Sequence, residues 1–302
     1  MKKVFITGGT GTIGKSFIEK YYDTYEFYSL SRNEKLIAEL KHEFPKVKCY
    51  VGSICNGDYL LNLFEKIKPD IVIHSAAMKH INLAEENPFS AVTVNVNGSI
   101  NVANASLRAK VPLTIAISTD KACNPDSTYG YTKKLMEQVF SEYHSSETKF
   151  VCTRFANVAK SNGSVIPYWL SENEKGNQLK LTDIQMNRLM FSKEESAELI
   201  HKCIDYVYGG EDKFFILSSL MKNVNLYSLA KLISPFEVEV IGRRPGEKLN
   251  ETLISEKELK FTKLDEKFIL LYNEVVDGEK LDKEYSSLSA ETMTDEEMKN
   301  LL

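Results

Sequence analysis

A short apolar run followed at once by closely spaced glycines opens the chain and limits what it can fold into. Val4-Phe5-Ile6-Thr7 reads as a buried strand, Gly8-Gly9-Thr10-Gly11-Thr12-Ile13-Gly14 as a turn, and Lys15 to Lys20 as the continuation of a helix. Glycine at 8, 11 and 14 allows a sharp bend and the close approach of a pyrophosphate to the backbone. The helix that begins there aims unpaired N–H groups and a positive dipole end at that anion. A glycine triplet alone is weak evidence, but its place between a first strand and a first helix indicates a dinucleotide site.

The same alternation continues. Strands are expected near 3–7, 26–30, 47–51, 70–74, 112–117 and 149–154, and helices near 12–22, 33–43, 56–67, 88–109 and 128–145. Ile71-Val72-Ile73 and Ile115-Ala116-Ile117 carry no polar alternation, as suits strands covered on both faces. The fold expected is α/β: a Rossmann-like, doubly wound parallel sheet with a smaller C-terminal α/β lobe. Residues 1–157 with about 188–236 are assigned to the sheet domain, and about 158–187 with 237–302 to the lobe. In the looser second half, helices are expected near 165–174, 193–208 and 225–234, and short strands near 179–182, 213–217 and 237–241.

Bulk composition excludes several classes. A net charge of -4 argues against nucleic acid or an anionic membrane as the main partner. Cysteines at 49, 55, 123, 152 and 203 lack metal-ligand spacing, and their odd count suits free thiols in the cytoplasm. The histidines show no ligand spacing, and no metal is expected. No apolar run approaches the length of a membrane span, and no signal peptide is expected.

Ligands of such sheets bind beyond the carboxyl ends of the strands. The unusual clusters fall there: the glycine turn, Ser31-Arg32-Asn33, Gly52-Ser53-Ile54, Ser75 to Lys79, Ser118 to Lys121, and Asn157. A serine and an arginine after the second strand suit a ribose 2′-phosphate better than a 2′-hydroxyl, which favours NADP over NAD; a solvated surface charge is the plainer reading of Arg32. Tyr129 and Lys133 are one helical turn apart and share a face. The lysine can lower the phenol pKa while the phenol takes a proton from a sugar hydroxyl. Tyr227 and Lys231 repeat the spacing in the loose second half and are read as ordinary helix composition. Thr119 can hydrogen-bond the reacting hydroxyl. Asp120 and Lys121 add an acid–base pair that plain hydride transfer does not need, or else Asp120 caps a turn, as Asn124-Pro125 nearby would fit.

These stretches, with HSAAMKHI (74–81), STDKACNP (118–125), YGYTK (129–133), RFANV (154–158), NGSVIP (162–167) and RPGEKLNETLI (244–254), resemble the extended short-chain dehydrogenase/reductases. Within them the chain is similar to the inverting UDP-N-acetylglucosamine 4,6-dehydratases. The resemblance implies a UDP-sugar substrate, a recycled NADP and a homo-oligomer, a dimer or larger. It implies catalytic roles for Thr119, Asp120, Lys121, Tyr129 and Lys133. Cofactor contacts would come from Gly8, Thr10, Gly11, Thr12, Ile13, Gly14, Ser31, Arg32, Asn33, Ser53, Ile54, Ala76, Ala77, Lys79, Asn95, Tyr129 and Lys133, and substrate contacts from Lys79, Asn157, Val165, Thr182, Arg244 and Glu247. Lys121 would be the base at C5, which calls for a buried or cation-crowded setting. The alternatives it leaves are a C5-retaining dehydratase and a nucleotide-sugar 4-epimerase. The chain departs from the family pattern at Ser53, Asn82, Ala156, Lys160 and Asn162.

Overall fold

The computed structural model describes residues 1–243 and 247–302. Nine strands form one large sheet, numbered here in chain order: β1 (Lys3–Thr7), β2 (Glu26–Ser31), β3 (Lys48–Val51), β4 (Ile71–His74), β5 (Leu113–Thr119), β6 (Lys149–Phe155), β7 (Phe215–Ser219), β8 (Thr262–Asp265) and β9 (Phe268–Tyr272). Their spatial order is β8-β9-β7-β6-β5-β4-β1-β2-β3. The strands from β3 to β7 pair in parallel, whereas β9 is antiparallel to β7 and β8 antiparallel to β9. Chain direction across the sheet reverses between β1 and β4, the place where such sheets open a crevice.

The apolar runs are buried because both faces are covered. All seven residues of β5 and all four of β4 are buried. Phe17 and Ile18 of the helix Thr12–Lys20 pack on one face with Leu199 and Ile200 of the helix Lys193–Tyr208. The helices Gly57–Ile67 and Gly98–Arg108 cover the other face through Leu60, Phe64 and Val102.

The segment expected as one helix over 88–109 is composite. Helices Pro88–Val92 and Gly98–Arg108 flank a π-helical turn at Thr93–Asn97, and a further short helix, Ile81–Glu86, precedes them. The wider turn carries Asn95, which binds the neighbouring chain: its Oδ1 accepts from Met78 N at 2.7 Å and its Nδ2 donates to Met78 O at 2.9 Å.

The lobe has its own core around the fully buried Trp169, with Ile166, Leu181, Leu229 and Met298. It holds a three-stranded sheet, Lys222–Asn225, Asn187–Phe191 and Asn157–Val158, together with the pair Lys180–Leu181 and Glu239–Val240. The expected domain limits shift in several places, the lobe strands Asn187–Phe191 and Lys222–Asn225, both assigned to the sheet domain, among them. Residues 262–272, assigned to the lobe, join the large sheet as β8 and β9, because Phe268-Ile-Leu-Leu-Tyr272 is an unbroken buried run. Conversely, the helix Leu226–Ile233, assigned to the sheet domain, packs through Leu229 and Ala230 into the lobe core. Leu301 is buried there too, with Leu302 against it.

Candidate active site

A cleft of about 710 Å³ opens along the carboxyl edge of the sheet. Residues beyond the ends of six strands, β1 to β6, line it. Of the residues singled out by sequence it brings together Gly8, Thr10, Gly11, Thr12, Ile13, Ser31, Arg32, Asn33, Ser53, Ile54, Ala76, Ala77, Lys79, Thr119, Asp120, Lys121, Tyr129, Lys133 and Asn157.

At one end lies the glycine turn. Gly8 has φ +76°, and a Cβ there would come within 2.9 Å of the Ala76 backbone. A Cβ on Gly14 would meet Gly9 Cα at 2.7 Å, so Gly14 is there for close packing of helix on turn and does not line the cleft. The helix Thr12–Lys20 has no side-chain cap at Gly11, whereas the helices beginning at Glu34 and Gly57 are capped by Asn33 and Asn56. First-turn N–H groups without a side-chain acceptor, beside backbone with no Cβ, fit a pyrophosphate. Ser31 Oγ accepts from Thr10 Oγ1 at 3.1 Å and ties the turn to the end of β2, next to the exposed Arg32.

A strap crosses this end. Asn162 N donates to Thr12 Oγ1 at 3.0 Å, and Lys79 Nζ donates to Asn162 O at 2.6 Å. Lys160 and Gly163 both take positive φ, and a Cβ on Gly163 would meet His80 Cε1 at 2.6 Å. The departures from the family pattern at 160 and 162 thus fall on the segment that spans the cleft.

The other end holds the acid–base groups. Thr119 ends β5 and Asp120–Ala122 forms a tight 3-10 turn. Asp120 Oδ1 accepts from Thr119 Oγ1 at 2.8 Å, Lys121 N at 2.9 Å and Lys121 Nζ at 3.1 Å. The cap of this turn is Thr119, whose Oγ1 also accepts from Lys121 N at 3.4 Å, and Asp120 uses one oxygen only. Its Oδ2 is buried and has no partner among the described residues. Burial opposes the charge of Lys121, but Asp120 and Glu251, the latter at 3.6 Å, outweigh it and raise the lysine above its ordinary range. The setting expected for a lysine base is thus buried but rich in anions, and Lys121 rests as an ammonium.

Tyr129 and Lys133 project from the helix Thr128–Tyr143, which Ser127 caps. Burial pushes the Tyr129 phenol up to about 12, against the pull of Lys121 and a Thr119 hydrogen bond. The expected lowering by Lys133 is not found. Burial brings Lys133 itself down to about 8, and its Nζ donates to Ile117 O at 2.6 Å.

Behind these groups, Arg154 is fully buried between Glu137 and Glu258. It binds Glu137 at 3.1 Å through Nε and 2.9 Å through Nη2, and Glu258 at 3.2 Å through Nη1 and 3.1 Å through Nη2. Ser118 donates to Glu137 at 2.6 Å. The network locks β5, β6, the Tyr129 helix and the 253–258 segment together. His74, held between Thr7 Oγ1 and Ser99 Oγ, is kept neutral by burial, its pKa lowered to about 3.

Several expected contacts lie off the cleft. Asn95 is 1% exposed and clamps Met78 instead. Val165 packs against the lobe core, and Thr182 is buried with its hydroxyl on Met186 Sδ. Glu247 does not line the cleft among the described residues, and Arg244 lies outside them. Sequence reasoning missed Glu251 and Arg188, both buried and both acting on Lys121. Arg188 belongs to no motif, and Glu251 lies inside the RPGEKLNETLI stretch where nothing local marks it, since each reaches Lys121 only through the fold. Among the described residues no group of histidine, cysteine, aspartate and glutamate is arranged to hold a metal, and no helix is long and apolar enough to cross a membrane.

A doubly wound sheet with an open glycine turn and a tyrosine–lysine pair on one cleft-lining helix defines an extended short-chain dehydrogenase/reductase. Within that class the chain belongs to the polysaccharide biosynthesis protein family, whose pattern matches residues 4–272. It is 34% identical to a Methanocaldococcus jannaschii protein named an uncharacterized membrane protein, covering all of this chain and 95% of the relative. It is also 34% identical to the inverting UDP-N-acetylglucosamine 4,6-dehydratase of Campylobacter jejuni, over 84% of this chain and 78% of that enzyme. The UDP-glucose 4-epimerase of Rickettsia massiliae is 31% identical over all of this chain and 95% of its own length. Among solved structures, Pen from Bacillus thuringiensis superposes with a TM-score of 0.91 at 29% identity, covering 99% of this chain and 96% of that one.

Proposed function

We propose that the protein is an NADP-dependent, C5-inverting UDP-N-acetylglucosamine 4,6-dehydratase acting in the cytoplasm. Its product would be UDP-2-acetamido-2,6-dideoxy-4-hexulose, for a surface polysaccharide or glycan. The observation that carries this reading is Asp120: three donors occupy Oδ1, and the buried Oδ2 is left for a proton. An enzyme that only moves hydride on and off C4 has no use for such a couple.

When bound, the nicotinamide would supply a positive charge and a reversible hydride acceptor, and the glycine turn, Arg32 and Lys133 would hold the cofactor. Tyr129 takes the proton of the C4 hydroxyl, with Lys121 and the Thr119 hydrogen bond working against the burial that holds its pKa up. The ketone at C4 acidifies C5–H. Lys121 first gives up a proton to the Asp120 carboxylate, whose Oδ1 lies 3.1 Å away and whose free Oδ2 carries it, leaving a neutral amine and a carboxylic acid with no change in total protons. The amine removes the C5 proton, and the carboxylic acid protonates the departing C6 hydroxyl. Lys121 and Asp120 end as the ion pair they began as. The proton that Tyr129 took from the C4 hydroxyl goes to the opposite face of C5, which inverts that centre and returns the phenol to its starting state.

Lys79 and Asn157, both on the cleft, are assigned to cofactor and sugar, and Arg244 to the diphosphate. Arg32 is assigned to the ribose 2′-phosphate. Exposed Phe89, Tyr131 and Leu135 on adjoining helices support a homo-oligomer, and five free cysteines support a reducing compartment.

The full-length similarity to the Rickettsia enzyme favours 4-epimerisation as the second reading. Product mass decides: dehydration removes one water, and epimerisation leaves the mass unchanged.

A further inference from the structure

Glu251 lies just ahead of the short strand Thr252–Ile254 and is held on both sides of its peptide by one residue. Its N–H donates to Ser287 Oγ at 3.0 Å, and its carbonyl accepts from Ser287 N at 2.9 Å. Its side chain is 9% exposed, and Oε1 is 3.6 Å from Lys121 Nζ. The segment around it is fastened to the Lys121 turn elsewhere as well: Lys248 Nζ donates to Asn124 O at 2.8 Å, and Cys123 Sγ to Glu258 Oε2 at 3.1 Å.

Lys121 therefore stands between two carboxylates of different origin. Asp120 comes from its own turn, and Glu251 from a segment about 130 residues later that only the tertiary fold brings there. The other charged or titratable groups acting on Lys121 and Glu251 are Arg188 of the strand Asn187–Phe191, Tyr129 of the helix Thr128–Tyr143, and Lys248. A buried carboxylate with no task would be a liability, since desolvation costs more than a loose pairing returns.

Resting on the dehydratase reading above, we propose that Glu251 is a positioning residue: it holds Lys121 Nζ against Asp120 and sets the proton balance between the two. Its charge opposes the neutral amine needed before C5–H is attacked and favours the ammonium formed afterwards. Lys121 thereby becomes a stronger base that is less often free. Burial and Asp120 raise Glu251 above the ordinary carboxylate range, while Lys121 and Arg188 pull the other way.

The test is the pH dependence of Lys121 reactivity in the full chain. Reductive dimethylation by formaldehyde and cyanoborohydride consumes only the neutral amine, and mass spectrometry of the Lys121 peptide gives its rate. Removing one of two anions in Glu251→Gln should move the midpoint to lower pH by about one unit or more. The kcat profile with UDP-N-acetylglucosamine should move the same way, with KM unchanged. If the glutamine variant does not fold, Glu251→Asp withdraws the carboxylate by one methylene and should shift the midpoint in the same direction. An unmoved midpoint in a folded variant overturns the proposal. The labelling needs no substrate, so a wild-type protein inert toward UDP-N-acetylglucosamine would refute the dehydratase reading while the labelling still judged Glu251.

Discussion

Lys121 Nζ lies 3.1 Å from Asp120 Oδ1, on adjacent residues of one tight turn at the end of β5. Adjacent residues of an extended strand would point to opposite faces. The 3-10 turn removes that constraint, so a base and an acid one residue apart serve the same side of the cleft.

This pairing predicts different failures for neighbouring substitutions. Lys121→Met and Asp120→Asn should each lower dehydration by about 10²–10⁴-fold while leaving cofactor binding intact. Lys121→Met should still pass hydride from C4 and accumulate reduced nicotinamide, seen by its near-ultraviolet absorbance. Tyr129→Phe should accumulate none. Retained water loss in Lys121→Met would remove that residue from the base role.

Arg32→Ala tests the cofactor assignment. Losing a charge-assisted contact of about 1.5–3 kcal/mol should weaken NADP about 10–100-fold by calorimetry, with little change for NAD. Equal loss of both would mean that Arg32 does not meet a 2′-phosphate.

The buried Arg154–Glu258 pair predicts an acid-sensitive scaffold. Burial works against the Glu258 charge, but Arg154 and its hydrogen bonds prevail and lower the pKa from 4.5 to about 2. A depressed carboxylate stabilises the fold above its unfolded pKa and loses that contribution as pH falls through the folded one. The shift corresponds to about 3 kcal/mol. Glu258→Gln should therefore lower the urea midpoint at neutral pH, and the gap to wild type should close between pH 4.5 and about 2. A gap independent of pH would contradict the pairing.

Gly163→Ala probes the strap. Its φ of +74° and the His80 ring 2.6 Å from a new Cβ leave no room for a side chain. The left-handed penalty of about 1–2 kcal/mol should loosen the strap and speed cofactor release up to about tenfold in a stopped-flow chase. An unchanged release rate would mean that the strap does not hold the cofactor.

Where chemistry follows chain order, the sequence was readable. The glycine turn, Arg32, the Thr119–Lys121 turn and Tyr129 each sit directly after a strand or open a helix, so the doubly wound rule alone brings them to one edge. It failed where position depends on a partner far along the chain. Glu251 meets Lys121, and β9 completes the sheet, only through long-range packing. Asn95, Val165 and Thr182 carry suitable side chains, but a π-helical turn and a separate lobe core turn them elsewhere. Electrostatics was the least legible part, since the shift on Tyr129 is set by burial and that on Lys121 by burial against Asp120 and the distant Glu251.

Incubation of the purified protein and NADP with UDP-N-acetylglucosamine in deuterated water, followed by mass spectrometry and NMR of the product, bears most directly on the Asp120–Lys121 couple. The product should have lost one water, carry deuterium at C5 and have the opposite configuration there. A sugar of undiminished mass, with only C4 altered, would contradict the account.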